Sequence, residues 1–113
     1  MNWQINYYLT SNGKSPVKEW IDSIGAEPKA EVFRIFEMLS KYGTNLGLPF
    51  VRPIENKIYE VRAKDKSGIY RVLYFAHTQK TFVMLHGFQK KTRTTPRKEI
   101  EIARKRMKEI QDG

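Results

Sequence analysis

Two β-rich runs, Ile58–Lys64 and Ile69–Ala76, are separated only by Asp65-Lys66-Ser67-Gly68. A four-residue polar turn ending in glycine forces the chain to double back and pair the runs as an antiparallel hairpin. A third run, Thr81–Phe88, follows a turn at His77–Lys80, which extends the hairpin to a three-stranded meander. The first half of the chain must cover what this meander leaves apolar. Trp3, Ile5, Tyr7 and Leu9 alternate with polar residues and share one face of a half-buried strand. Ser15-Pro16 then combines a hydroxyl cap with a proline suited to a first helical turn. Val17, Trp20, Ile21 and Ile24 follow at helical spacing before Gly25. A second helix is expected from about Pro28 to Tyr42, with Val32, Ile35, Phe36 and Leu39 as its stripe and Gly43 as its stop.

Residues 43–56, with Gly47, Pro49 and Pro53, read as an irregular connection. Thr95-Pro96 repeats the cap-plus-proline signal and opens a helix to about Ile110, with Ile100, Ala103, Met107 and Ile110 apolar. The expected order is β-α-α-β-β-β-α. This is an α+β domain with a small, mostly antiparallel sheet and a helical hairpin on one face. At 113 residues and 40% hydrophobic content the chain supplies one core, so residues 1–113 are read as a single domain. It has no cysteine, which excludes disulfides and thiolate sites. No apolar run is long enough for a membrane span or a secretory h-region, so a cytoplasmic location without a membrane partner is expected.

The charge is unevenly distributed. Residues 1–56 hold six basic and six acidic side chains, whereas residues 57–113 hold fifteen and six, so the whole surplus of +9 lies in the second half. Such asymmetry favours a polyanionic partner. Strand parity then places the cations. Tyr59, Val61 and Ala63 point one way; Glu60, Arg62 and Lys64 point the other. On the next strand Arg71 shares a face with Leu73 and Phe75, a lone charge in a very apolar run. Two readings are open for it: an ion pair with Glu60 or Glu55, or an open sheet face where its planar fork awaits a phosphate. By the same parity Phe82, Met84, His86, Phe88 and Lys90 share a face. An imidazole and an aromatic ring there lead into Lys90, Lys91 and Arg93. Phe88 is suited to stack on a base and these cations to hold phosphates.

Three segments carry a resemblance. They are Ile58-Tyr59-Glu60-Val61-Arg62, then Gly68-Ile69-Tyr70-Arg71-Val72-Leu73-Tyr74, then Leu85-His86-Gly87-Phe88-Gln89-Lys90-Lys91-Thr92-Arg93-Thr94-Thr95-Pro96. Together they resemble the RelE/HigB-like toxin superfamily, most closely its phage-derived HigB-type branch. The resemblance implies a RelE-like fold and the toxin of a type II toxin–antitoxin pair. It further implies a metal-independent, ribosome-dependent mRNA endoribonuclease that uses the 2′-OH of its substrate against the adjacent phosphate. The implied partners are the ribosome, mRNA and a helix-turn-helix antitoxin of HigA type, with operator DNA reached only through the antitoxin complex; no cofactor is implied.

By position, Arg62 and Arg71 match the residues at the scissile phosphate, and Lys90 or Lys91 matches the residue stabilising the transition state. His86 is the one nearby group with an ordinary pKa near neutrality, which makes it the candidate acid or base. Lys64, Phe88, Arg93 and Arg97 are expected to contact RNA. The sequence departs from the pattern in having no Tyr or His after Phe88, so either His86, Tyr59, Tyr70 or a lysine beside other cations substitutes, or the chain cleaves poorly. The alternative is a non-catalytic module that blocks translation by occupying the ribosome or RNA.

Overall fold

The computed structural model describes residues 2–78 and 80–113. Five strands form one sheet: β1 (Gln4–Tyr7), β2 (Val51–Glu55), β3 (Ile58–Asp65), β4 (Gly68–Ala76) and β5 (Thr81–Lys90), in the order β1-β5-β4-β3-β2. The helices are α1 (Pro16–Ser23), α2 (Ala26–Tyr42) and α3 (Arg97–Asp112), with a 3-10 turn at Gly43–Asn45. β1 pairs in parallel with β5, and all the other pairings are antiparallel. The α+β class and the meander are as expected. Gln79, within the expected turn at 77–80, lies outside the described residues.

β2 is the strand that the sequence reading missed. Val51–Glu55 lies where an irregular connection was expected, and Pro53 is the reason it was passed over. A proline is tolerated here because β2 is the outer strand and has a partner on one side only. Asn56 and Lys57, with φ of 36° and 73°, turn the chain from β2 into β3 as a two-residue loop. In the next hairpin the strands run further than expected. Asp65 pairs with Gly68, so only Lys66 and Ser67 form the loop, and the Asp65 carboxylate accepts the Ser67 N–H at 2.8 Å.

α1 and α2 lie on one face of the sheet. Ser15 Oγ accepts the Lys18 N–H at 3.3 Å and Pro16 occupies the first turn, as the sequence indicates. Val17, Ile21, Val32, Ile35 and Leu39 pack on Val61, Ala63, Val72, Tyr74 and Met84. Two glycines let indoles into this layer. A Cβ on Gly87 would stand 2.3 Å from the Trp20 ring, and one on Gly43, at φ +60°, would stand 2.3 Å from the Trp3 indole nitrogen. Trp3 in turn stacks on Phe82 at 4.3 Å.

The opposite face is covered as well, by α3. Ile100, Ala103 and Met107 are buried, the latter two against Ile58, Leu73, Phe75, Val83 and Leu85. The expected single covered face is therefore corrected to helices on both faces. β4, the central strand, is buried from Tyr70 through Phe75, which explains why its sequence runs apolar without alternation. A bulge in β5 makes a second correction. Leu73 pairs with His86 but Tyr74 pairs with Met84, so Leu85 is the extra residue. One inserted residue reverses parity. Phe82 and Met84 consequently belong to the α1/α2 face, and His86, Phe88 and Lys90 to the α3 face. Among the described residues no helix is long and apolar enough to cross a membrane.

Candidate functional site

α3 stops short of one end of its face, and there the cations gather. Across β3, β4 and β5 the register sets Arg62 opposite Arg71 and Arg71 opposite Phe88; one step outward lie Lys64, Ile69 and Lys90. With Arg52 on β2, Lys66 in the hairpin loop, and Lys91 and Arg93 after β5, this end carries eight cations. Glu60 and Asp65 are its two carboxylates. Most of the molecule's surplus charge is thus concentrated at one end of one sheet face.

Glu60 is the centre of the arrangement and is fully buried. Its Oε1 lies 3.1 Å from Arg52 Nε and 3.4 Å from Arg62 Nε, and its Oε2 lies 3.7 Å from Arg71 Nη1. One carboxylate cannot neutralise three guanidiniums, so a positive field remains. Burial pushes the Arg71 guanidinium below its ordinary value against the pull of Glu60, and the neighbouring Arg62 and Arg52 add to the push. The Nε atoms of Arg62 and Arg71 are buried and donate no hydrogen bond among the described residues.

Residues 91–95 fold over this centre. Arg71 Nη2 donates to the Thr92 carbonyl, and Arg52 Nη2 donates to the Arg93 carbonyl at 3.1 Å. The Thr95 hydroxyl donates to Glu60 Oε2 at 2.5 Å and accepts from Arg71 Nη1 and Arg52 Nη2, both at 3.2 Å. Thr95 was expected to cap α3. Its hydroxyl instead faces the ion cluster, Pro96 holds the cap position, and no side chain caps the helix among the described residues.

The expected site residues divide into three groups. Arg62, Lys64, Lys90, Lys91 and Arg93 are brought together on one surface. Lys64, Lys91 and Arg93 are exposed, Lys90 is half-buried, and none of these four has a side-chain hydrogen bond or ion pair among the described residues. Arg62 keeps 14% of its side chain exposed at the cluster's edge. Arg71 is the second case: it is fully buried, paired with Glu60, and bonded to the Thr92 carbonyl and the Thr95 hydroxyl of the covering segment. Of its two sequence readings the structure realises the ion pair, and the open sheet face is corrected to a covered one.

His86, Phe88 and Arg97 form the third group, held elsewhere. His86 Nε2 lies 2.7 Å from Glu99 Oε1, and its Nδ1 faces Arg106 Nη1 at 3.4 Å. Burial pushes the imidazole down, opposed by Glu99, so the neutral form donates from Nε2 and accepts at Nδ1. Both nitrogens are engaged. Phe88 is buried and stacked on His86 at 5.5 Å, which leaves no ring face for a base. Arg97 pairs with Glu55 at 2.6 Å and Glu101 at 3.1 Å. Tyr59 and Tyr70 project on the α1/α2 face, against Tyr74 and Trp20 respectively, and the Tyr70 hydroxyl is paired with Ser67 in the hairpin loop.

Sequence reasoning named Glu60 only as a possible ion-pair partner of Arg71 and placed neither it nor Thr95 in the site. The available signal was a carboxylate sharing strand parity with Arg62 and lying one strand from Arg71. Among the described residues no three His, Cys, Asp or Glu side chains are grouped to hold a metal ion. Residues 19–108 match the model of the family described as phage derived protein Gp49-like (DUF891). No curated protein matches the chain.

Proposed function

The chain belongs to the Gp49-like family of phage-derived proteins, within the RelE/HigB-like toxin superfamily, and on that premise we propose that it is the toxin of a type II toxin–antitoxin pair. In this reading it is of the HigB-type branch and acts in the cytoplasm as a ribosome-dependent mRNA endoribonuclease. The observation that carries the proposal is the surface of Arg62, Lys64, Lys90, Lys91 and Arg93, four of which have no ionic partner of their own among the described residues. As the 2′-OH gives up its proton and bonds to the adjacent phosphorus, the P–O5′ bond breaks. The leaving 5′-oxygen takes up a proton, giving a 2′,3′-cyclic phosphate and a 5′-OH. Negative charge builds on the non-bridging oxygens, and fixed cations stabilise it as it develops. Arg62 and Lys91 would meet those oxygens, with Lys90 beside them. Lys64 and Arg93 would hold neighbouring phosphates. Arg71 contributes its field from beneath, where low polarity strengthens it. A helix-turn-helix antitoxin, itself the link to operator DNA, would neutralise the toxin.

A second reading rests on a specific observation. Of the candidate proton-transfer groups, the histidine and the tyrosines are occupied or lie elsewhere: both His86 nitrogens are engaged, and Tyr59 and Tyr70 lie on the other face. This favours a protein that blocks translation by occupying RNA or ribosome without cutting. In vitro translation followed by primer extension separates the two. Cleavage gives discrete new 5′ ends that require ribosomes and fall about 100-fold or more in Lys90→Ala/Lys91→Ala. Intact mRNA with stalled translation selects occupancy. Both substituted residues lie at the surface or partly so, and the fold does not depend on them.

A further inference from the structure

A hydroxyl has one hydrogen and two lone pairs, and Thr95 uses all three. It donates to Glu60 and accepts from Arg52 and Arg71, in a site where it is 6% exposed. We propose that Thr95, acting with Glu60, is a positioning residue: it clamps the basic 90–94 segment in register with Arg62, so that the surface cations converge on one phosphate. This rests on the endoribonuclease reading above and goes beyond it by assigning a role to two residues that do not touch substrate.

Three observations carry the inference. Thr-Pro at the start of a helix is capping chemistry, yet Thr95 leaves the amides of α3 without a side-chain cap. A local preference overridden in this way marks a site where something other than stability sets the geometry. Next, residues 91–94 are exposed on every side chain. Their attachment inward runs through two backbone carbonyls and the Thr95 hydroxyl, with every donor an arginine of the Glu60 cluster except the hydroxyl itself. Lys91 and Arg93 therefore inherit their positions from that cluster. Finally, the same hydroxyl joins all the parts. Arg52, Arg71 and Glu60 each meet it directly, and Arg62 meets Glu60. A displacement of Thr95 moves the loop relative to Arg62, and misplacement of about 1 Å is costly for a step that depends on alignment.

The experiment compares Thr95→Val, which keeps shape and loses the hydroxyl, with Thr95→Ser, which keeps the hydroxyl. Two readouts are taken: kcat and KM of ribosome-dependent cleavage, and the rate at which trypsin cuts after Lys91 and Arg93 in the folded protein. Thr95→Val lowers kcat at least about tenfold while KM changes less than about threefold, because substrate cations remain but lose alignment. The loop is cut about tenfold faster, and Thr95→Ser restores both values to within about twofold. Wild-type cutting and kcat in Thr95→Val, or a loss that Thr95→Ser does not restore, overturns the proposal. Should Thr95→Val fail to fold, Arg52→Met removes one donor to the hydroxyl together with the bond to the Arg93 carbonyl and leaves Glu60–Arg71 intact. It must speed tryptic cutting at least about threefold, and an unchanged rate overturns the clamp. If wild-type protein cuts no mRNA, the endoribonuclease reading fails by itself, while the trypsin rates still decide whether Thr95 holds the loop.

Discussion

The two faces of the sheet are held by different physics. Under α1 and α2 the contacts are aliphatic and aromatic: Val17, Ile21, Ile35 and Leu39 on Val61, Val72 and Met84, with Trp3 on Phe82 and Trp20 in the notch at Gly87. Under α3 an apolar seam is bordered by charge on three sides. Glu60 gathers three arginines, Glu99 holds His86, and Glu55 holds Arg97 and Arg104. Arg106 bonds the Leu85 carbonyl at 2.8 Å and lies over the Tyr8 ring, whose hydroxyl donates to Glu109. Apolar packing carries no charge for pH to titrate or for sodium chloride to screen, whereas ionic packing responds to both. The face that carries the candidate site is thus the face whose stability depends on conditions.

The largest expected effect falls on the charged face. Glu60→Gln leaves buried guanidiniums without a counter-charge and costs about 3–5 kcal/mol by urea denaturation. The comparison sharpens if Glu60→Met/Arg71→Met, which removes the fully buried pair and leaves only the partly exposed Arg52 and Arg62 without a counter-charge, then recovers most of that loss. In that case the charge on this face serves the site and not the fold. A double variant as unstable as Glu60→Gln would break the distinction. On the apolar face, Gly87→Ala drives a methyl into the Trp20 ring and costs about 1–3 kcal/mol. That loss should be the same at low and high salt, measured as the shift in denaturation midpoint.

A smaller effect separates the faces by pH. The folded state lowers the His86 pKa, so the unfolded chain binds more protons as pH falls below about 6.5. Wild-type stability should decline from there through the folded pKa and then level off. His86→Gln should flatten this window in a plot of Tm against pH. The Glu55 carboxyl is likewise held below its ordinary value, first by the Arg97 and Arg104 hydrogen bonds. Its contribution is present above the unfolded pKa and is lost as pH falls through the folded one, in a more acid window. The smallest effect belongs to Arg97→Ala: its pairs with Glu55 and Glu101 are open to solvent, so Tm should barely move and the difference should vanish in high salt.

The same contrast governs what the sequence made legible. The stripes of α1 and α2 and the alternation of β3 emerge from periodicity because apolar packing writes itself as spacing. β2 did not, since Pro53 looks like a break until its edge position is known. The Leu85 bulge leaves no mark in composition, yet it moves His86, Phe88 and Lys90 to the other side of the sheet. Arg71 showed that a charge was buried or bound but not which, because its counter-charge, Glu60, comes from another strand. The surface cations of the site could be found by counting. The clamp beneath them, where Thr95 serves the cluster in place of its own helix, could not, because a hydroxyl's partners are settled only in three dimensions.

The parallel pairing of β1 with β5 has a consequence in time. Gln4–Tyr7 meets Thr81–Met84, so the strand made first waits for the one made last. Closing so long a loop is entropically expensive and slows folding. While the chain is being synthesised, the apolar stripes of α1 and α2 have no finished sheet to rest on, and the Glu60 cluster lacks the segment that covers it. A chain wired in this way cannot close its sheet as a fragment: β5 must be made before β1 has an edge to join.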